Sequence, residues 1–273
     1  IMIEEAYILK LIQDVQGSRK YRDLDLPDAF LRDLIENEFL HTTNKRVIKD
    51  NFRKKLHEVI APYLEDIDYY QKTKNLLAEH QQNSPINDQM KSWARSIMQK
   101  HASTRERLNH LDSFYKTIWS NIGYPSSIID LACALDPLAL PWFNNPSLNA
   151  FYAVDIHRPR LDFLETYFQL FFPFAKTIQQ DFIAEPIQIK ADCALLFKEA
   201  HRMEKRKSGS TSQLIQNLDV QHIVISLPGK DLSGHHDLSD FHTRLIENAI
   251  QGQKLSMTMA QVGLELLYFI EKL

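Results

Sequence analysis

In the first hundred residues, apolar side chains recur every three or four positions, which is the pattern of amphipathic helices. The pattern predicts helices over Ile3 to Val15, Pro27 to Phe39, Val47 to Tyr63 and Asn87 to Lys100. No run of alternating apolar and polar residues interrupts them. The sequence therefore predicts an all-helical domain over residues 1–100.

From His101 onward, short apolar runs alternate with helical segments. The runs that predict strands are residues 126–130, 151–155, 175–179, 193–197, 222–227 and 265–270. Strands that alternate with helices are typical of a parallel, doubly wound sheet. The expected fold class is therefore α/β, with a Rossmann-like domain over residues 101–273 behind the helical domain.

The loop after the first predicted strand is the strongest candidate for a ligand site. The strand ends at Asp130, small residues turn the chain, and Asp136 is placed to cap a following helix. Open α/β sheets bind ligands at the carboxyl ends of their strands, and Asp155, which ends the second strand, could accept hydrogen bonds from both ribose hydroxyls. Ala132 and Ala134 stand where glycines are usual, so the pattern also fits an ordinary strand–helix–strand core without a ligand.

Composition and charge narrow the function only locally. The net charge of −3 gives no global sign of nucleic-acid binding. The segment Lys45 to His57 is basic, and it predicts either a phosphate-binding face or a solvated helix face. Cys133 and Cys193 fall in predicted core strands, where buried thiols in a reducing compartment are expected rather than nucleophiles. No apolar run is long enough to span a bilayer, so a cytoplasmic protein is expected.

One polar segment contains several side chains that can bind metals. These are His235, His236, Asp237, Asp240 and His242. Their spacing does not match that of known zinc sites. We therefore expect a polar loop here, with no metal.

Several stretches, in order along nearly the whole chain, resemble one known family. They are Ser18–Leu24, Arg53–His57, His101–Leu108, Asp130–Leu140, Val154–His157, Leu196–Lys198, Leu214–Leu218, Val224–Pro228 and Glu265–Tyr268. The octet at 101–108 and the loop after the first strand are the most specific of them. On these stretches the sequence resembles the Arm/Rmt/Sgm aminoglycoside-resistance methyltransferases, which methylate N7 of a guanine in the decoding site of 16S ribosomal RNA.

The resemblance implies a monomeric enzyme that uses S-adenosylmethionine and acts on 16S rRNA in the assembled 30S subunit. It implies that Arg107 holds the methionine carboxylate, that Asp155 binds the ribose, and that Asp181 and Phe182 border the adenine. The cofactor-binding residues that it implies are Arg107, Ala132, Ala134, Asp155, Ile156, Asp181, Phe182, Phe197, Lys198 and Gln216. The RNA-binding residues that we expect are Lys20, Lys54, Lys55 and Lys230.

The expected reaction needs no catalytic acid or base. Guanine N7 offers a lone pair and carries no proton, so alignment of the reactants and exclusion of water are enough. The target base is expected to leave its stack to reach the cofactor. For this reason the sequence predicts positioning residues and no catalytic dyad.

The sequence departs from the family pattern after Pro228. His235 stands where the family has a basic residue, and Asp240 stands where it has a glutamate. These changes concern RNA placement more than cofactor binding. They leave two alternatives open: a divergent methyltransferase with another RNA target, and a non-catalytic module that binds RNA or the ribosome.

Overall fold

The periodic apolar residues form helices where the sequence predicts them. The structure is a computed structural model, and it describes residues 2–61, 67–230 and 236–273. Its α-helices are α1 (Met2–Gln16), α2 (Asp28–Phe39), α3 (Lys45–Ile60), α4 (Tyr69–Glu79), α5 (Asp88–Met98), α6 (Ala102–Arg105), α7 (Leu111–Ile122), α8 (Arg158–Phe171), α9 (Ala200–Arg206), α10 (Ser210–Asn217) and α11 (Ser239–Ile250). The predicted end of the third helix, Tyr63, lies outside the described residues.

The strands form one seven-stranded sheet in the order β3-β2-β1-β4-β5-β7-β6. Their bounds are β1 (Ser127–Leu131), β2 (Ala150–Asp155), β3 (Ala175–Gln179), β4 (Cys193–Phe197), β5 (His222–Pro228), β6 (Leu255–Val262) and β7 (Glu265–Lys272). The five strands β1 to β5 pair in parallel, which confirms the α/β fold. The prediction of a wholly parallel sheet is wrong, because β7 runs antiparallel to both β5 and β6.

Two predictions near β1 are also wrong in detail. The segment after β1 is a 3₁₀ helix, Asp136–Trp142, and the Asp136 side chain makes no capping hydrogen bond in it. Pro137 and Pro141 both lie inside this segment, and a proline removes a backbone donor that an α-helix would use. Cys133 lies in the loop after β1 rather than in a strand, although it is fully buried.

The helices divide among three hydrophobic cores, one of which joins α9, α10 and α11 to the sheet. Side chains of α1, α2 and α3 pack with one another and with Ile156, which follows β2. Side chains of α4 and α5 pack instead with α7, α8 and one face of the sheet. The first three helices therefore form a unit of their own that contacts the sheet near the carboxyl end of β2.

None of the helices in the described ranges is both long enough and apolar enough to cross a membrane. Within the same ranges, no group of three or more histidine, cysteine or acidic side chains is arranged to hold a metal ion. His235 lies outside the described residues.

Candidate functional site

The loop after β1 adopts the conformation of a glycine-rich turn without glycine. Ala132 and Ala134 have φ angles of 50° and 47°, in the left-handed region. This region costs an alanine roughly 1 kcal/mol or more, so the surrounding structure has to hold the loop in place. The Cys133 amide donates to the carbonyl of Val154 at 3.0 Å, and the Ala134 amide donates to Asp155 at 3.0 Å. The loop is thus tied to the end of β2.

Asp155 lies at the carboxyl end of β2 and is buried. Its Oδ1 accepts from the amides of Ile156 at 2.7 Å and His157 at 3.1 Å. Its Oδ2 accepts from the amide of Ala134 at 3.0 Å and from the guanidinium of Arg160 at 3.4 Å. A carboxylate offers about four acceptor positions, so all of those on Asp155 are engaged within the protein.

Arg107 is buried between two carboxylates and two aromatic rings. Its Nη1 donates to Asp136 at 2.6 Å, and its Nη2 donates to Glu265 at 2.5 Å. The guanidinium carbon lies 4.2 Å from the ring centre of Phe114 and 4.6 Å from that of Phe197. With only 1% of its side chain exposed, Arg107 is neutralised by residues of the chain itself.

The two carboxylates around Arg107 titrate differently. Burial would raise the pKa of Glu265, but the charges of Arg107 and Lys198 outweigh it, so this pKa lies below its ordinary value. Burial raises the pKa of Asp136 above its ordinary value despite the charge of Arg107. Asp136 is therefore the partner of Arg107 that is more easily neutralised.

Lys198 follows β4 in a left-handed conformation, with a φ of 58°. Its Nζ lies 2.5 Å from a carboxylate oxygen of Glu106 and 3.6 Å from one of Glu265. Lys198, Arg107, Glu106 and Glu265 line a cavity of about 20 Å³. That volume holds roughly one water molecule. A larger ligand therefore has to open this region or replace side-chain contacts.

Asp130 is a further candidate that the sequence reasoning noted only as the end of a strand. It is fully buried, and its Oδ1 has no hydrogen-bond partner among the described residues. Burial, followed by the negative charges of Asp136 and Asp155, raises the pKa of Asp130 well above its ordinary value. An acceptor buried without a donor is costly, and such a group suggests that the site takes a ligand with a donor or a positive charge.

Asp181 and Phe182 follow β3. The carboxylate of Asp181 is buried and accepts two hydrogen bonds from Arg206, at 3.0 and 2.6 Å, and one from the Ile183 amide at 3.2 Å. Phe182 is half-buried and, together with Lys207 and side chains of α10, lines a separate cavity of about 90 Å³. The acid and the ring are therefore placed side by side at the end of β3.

The other predicted cofactor residues lie at different places. Phe197 ends β4 against Arg107, and Ile156 is buried in the core of the first three helices. Gln216 is exposed on α10, and its carbonyl accepts from Lys272 at 3.5 Å. The structure brings together the loop after β1, Asp155, Arg107, Phe197 and Lys198 at the carboxyl ends of the strands. Gln216 lies outside that group.

The predicted RNA-binding lysines differ in their surroundings. Lys54 is exposed on α3, and Lys230 is exposed at the end of β5. Lys20 is also exposed, with its Nζ 3.2 Å from Nδ1 of His57. Lys55 instead pairs at 2.5 Å with Glu38, whose side chain is only 2% exposed. Lys55 therefore has a structural partner, whereas Lys54 faces solvent.

Comparisons with known proteins match most of the chain to ribosomal RNA methyltransferases. The family model described as ribosomal RNA methyltransferase (FmrO) matches residues 17–268. A 16S rRNA (guanine(1405)-N(7))-methyltransferase from Micromonospora rosea is 31% identical over 182 residues, which is 66% of each chain and so just under two thirds of that relative. An enzyme of the same name from Proteus mirabilis is 27% identical over an alignment of 280 positions, which covers 98% of this chain and 99% of the relative.

Two solved structures have the same fold. The 16S rRNA methyltransferase RmtF in complex with S-adenosyl-L-homocysteine superimposes with a TM-score of 0.76 at 21% identity, covering 97% of this chain and 98% of the other. The 16S rRNA methylase RmtB gives a TM-score of 0.75 at 23% identity with the same coverage. At these identities the structural match bears on the fold alone.

Proposed function

Because the chain belongs to the ribosomal RNA methyltransferase (FmrO) family, we propose that it transfers a methyl group from S-adenosylmethionine to N7 of a guanine in 16S rRNA. The observation that carries the proposal is the loop after β1. There two alanines take left-handed conformations beside the buried acids Asp130 and Asp155. A strained turn at the carboxyl ends of two parallel strands is where nucleotide-like ligands bind in this class of fold.

The chemistry of the buried acids fits S-adenosylmethionine at two places. The unpartnered Oδ1 of Asp130 suits the ammonium group of the methionine. Asp181 makes three hydrogen bonds and keeps one acceptor position for the amino group of adenine, against the ring of Phe182. Both acids are buried, so a hydrogen bond from the cofactor would be little weakened by competition with bulk water.

Two further groups have to exchange an internal partner for the cofactor. Asp155 can accept from the ribose hydroxyls once a present donor moves away, and the longest of its four hydrogen bonds is the one from Arg160. Arg107 can bind the methionine carboxylate once it is released from Asp136 or Glu265. The small side chains of Ala132 and Ala134 permit close approach to the loop, and Ile156, Phe197, Lys198 and Gln216 complete the proposed cofactor set.

When bound, the cofactor supplies a methyl group on a sulfonium, which is an activated leaving group. Guanine N7 has a lone pair and no proton, so the protein has no proton to remove. The residues of this chain then act by holding the reactants in line and keeping water out of the reacting centre. The reaction needs no metal, and no catalytic acid or base is assigned.

For the RNA partner, we propose the assembled 30S subunit, which the protein binds as a monomer in the cytoplasm. Lys20, Lys54 and Lys230 are exposed and can contact phosphates. We assign Lys55 a weaker phosphate contact, because it already pairs with Glu38. The guanine has to leave its stack to reach a site at the carboxyl ends of the strands. The expected consequence of the modification is resistance to aminoglycosides.

One alternative rests on the same geometry. Arg107 and Asp155 are fully engaged within the chain, which is also the arrangement expected of a module that binds the ribosome without using a cofactor. The two functions predict opposite results in one titration, so they can be separated.

Calorimetric titration with S-adenosylmethionine, in the absence and presence of 30S subunits, tests the proposal. We expect wild type to bind, Asp155→Ala to abolish binding, and Asp162→Ala to leave it unchanged. Asp162 is the matched control because it lies on α8 after the same strand with 67% of its side chain exposed. We also expect transfer of the labelled methyl group to 16S rRNA, mapped to a guanine N7 by cleavage at the modified base. Wild type that binds no cofactor under either condition would favour the non-catalytic module.

A further inference from the structure

Arg206, at the end of α9, joins the first helices to the carboxyl end of β3. Its Nη2 donates to Asp33 of α2 at 2.6 Å and to Asp181 at 2.6 Å, and its Nη1 donates to Asp181 at 3.0 Å. Its guanidinium carbon lies 4.9 Å from the ring centre of Phe30, also on α2. The side chain of Arg206 is 7% exposed, that of Asp33 13% and that of Asp181 4%, so the cluster is largely removed from solvent.

The hydrogen bonds leave Asp181 with one acceptor position. Its Oδ1 accepts from Arg206 and from the Ile183 amide, and its Oδ2 accepts from Arg206 alone. A carboxylate has about four acceptor positions. The remaining position is on Oδ2, the oxygen whose only donor, Nη2 of Arg206, also bonds to Asp33.

Asp33 controls how strongly Arg206 acts on that oxygen. Nη2 is shared between two carboxylates at equal distances, so the charge of Arg206 is divided between α2 and the end of β3. Asp33 also pairs with Lys207 at 3.4 Å, and if it lost its charge, Arg206 would have Asp181 as its main ionic partner. The Asp181 carboxylate would then be a weaker acceptor for a further donor, because Arg206 would neutralise more of its charge, and Arg206 would lose its charged anchor on α2.

We propose that Arg206 is a positioning residue for adenine recognition, and that Asp33 on α2 tunes it, so the first helices set cofactor affinity without touching the cofactor. The inference rests on the proposed function, since it requires that Asp181 receives the adenine amino group. It adds a link between the helices that carry the exposed lysines and the cofactor site.

A second ion pair between the same two parts of the chain provides a matched control. Lys205, which precedes Arg206, lies 3.4 Å from Glu58 on α3, and their side chains are 76% and 43% exposed. Exposed pairs of this kind contribute little. Asp33→Asn and Glu58→Gln are thus the same chemical change on neighbouring helices, one within the buried cluster and one at the surface.

The test uses two ligands that differ only at the adenine amino group. S-adenosylhomocysteine carries that group, and its 6-deamino analogue, in which purine replaces adenine, carries a hydrogen in its place. By calorimetry, we expect Asp33→Asn to weaken binding of S-adenosylhomocysteine about threefold to tenfold, the effect of a typical hydrogen bond. We expect less than about a twofold change for the deamino analogue, and no change for Glu58→Gln with either ligand.

Arg206→Lys is a second variant that keeps the charge but lacks the planar fork that bonds to both oxygens of Asp181, and it should show the same ligand-selective loss. Thermal unfolding of each variant verifies that it is folded. Equal losses for both ligands would mean a structural role only and would overturn the proposal, as would an unchanged affinity in Asp33→Asn. If the wild type binds S-adenosylhomocysteine but the variants show no ligand-selective loss, the inference alone is contradicted. If the wild type binds neither ligand, the proposed function is contradicted and the inference with it.

Discussion

At the scale of single residues, Asp136 decides whether Arg107 can accept a ligand carboxylate. The two groups are buried 2.6 Å apart, and Glu265 already supplies a second negative charge. We predict that Asp136→Asn strengthens S-adenosylmethionine binding severalfold, because Arg107 then has charge available for the methionine carboxylate. Calorimetry measures the change. Binding of 5′-methylthioadenosine, which lacks the methionine carboxylate, should stay the same, and a weaker affinity for the full cofactor would contradict the prediction.

We expect Asp130 to lower the stability of the fold and to strengthen cofactor binding. Its buried Oδ1 has no partner, and burial raises its pKa well above the ordinary value near 4. Above that pH the unfolded chain releases a proton that the folded chain keeps, so the contribution of Asp130 to stability declines as pH rises. We predict that Asp130→Asn raises the free energy of unfolding at pH 7 by about 1 kcal/mol and weakens cofactor binding at least tenfold.

Urea unfolding and calorimetry test both effects of the Asp130 change. Asp192→Asn is the opposite control, since Asp192 accepts hydrogen bonds from the amides of Ser126 and Ser127 at 2.8 and 3.0 Å. A hydrogen bond from the Ser126 hydroxyl, together with these two, holds the pKa of Asp192 below its ordinary value. The control should therefore lose stability. A loss in Asp130→Asn as well would show that its unpartnered oxygen is not a strained feature of the site.

At the scale of elements, helix α3 carries two adjacent lysines, Lys54 and Lys55, that have different roles. Lys54 is exposed, whereas Lys55 neutralises the buried Glu38 at 2.5 Å. We predict that Lys54→Gln weakens 30S binding and reduces the slope of log affinity against log salt by about 1, with no change in thermal stability. Lys55→Gln should instead lower the free energy of unfolding by about 1–2 kcal/mol, because Glu38 loses its charged partner.

Binding across a salt series and thermal unfolding of both α3 variants separate these effects. Equal salt slopes for wild type and Lys54→Gln would remove Lys54 from the proposed RNA interface. Unchanged stability in Lys55→Gln would mean that Asn51, which donates to Glu38 at 2.9 Å, is a sufficient partner for it.

The elements that the sequence predicted well are those set by local patterning. Strands β1, β2, β4 and β5 are short, mostly apolar and bounded by polar residues or turns, whereas β3 is short but has only two apolar residues. The bounds of all five lie within a residue or so of the predicted ones. Strand β6 was missed because its burial alternates and it lies at the sheet edge, so it has no continuous apolar run. Its partner β7 follows after Gly263 and Leu264, and this tight hairpin makes β7 antiparallel.

For the site, the sequence identified positions but not partners. Asp155 was predicted from its place at the end of β2, and two of its four internal donors, the Ala134 amide and the Arg160 guanidinium, arise only when the loop after β1 and helix α8 meet it. Arg107 pairs with Glu265, which lies 158 residues later in the sequence. Such long-range ion pairs leave no local signal. The assignments of the site residues and the boundary at residue 100 stay predictions.

At the scale of the whole molecule, buried histidines should make the fold sensitive to acid. Burial, followed by nearby positive charges, lowers the pKa of His101 and His157 to about 3 and that of His201 to about 4. The ordinary value is near 6.5, so between about pH 6.5 and 4 the unfolded chain binds protons that the folded chain does not. The stability that these residues contribute is complete above that range and is lost as pH falls through it.

We therefore predict that the free energy of unfolding decreases as pH drops from 6.5 to 4.5. Each such histidine contributes about 1.4 kcal/mol per pH unit to the slope where its two states differ by a full proton. The raised pKa values of Asp130 and Asp136 act in the opposite direction, because the folded chain keeps protons there that the unfolded chain releases. The test therefore compares the pH dependence of the free energy of unfolding between a histidine variant and the wild type. Urea unfolding of His201→Gln should give a slope about 1.4 kcal/mol per pH unit shallower than that of wild type. An identical slope would mean that folding does not lower the pKa of His201, and its half-buried position beside His242 would then need a different explanation.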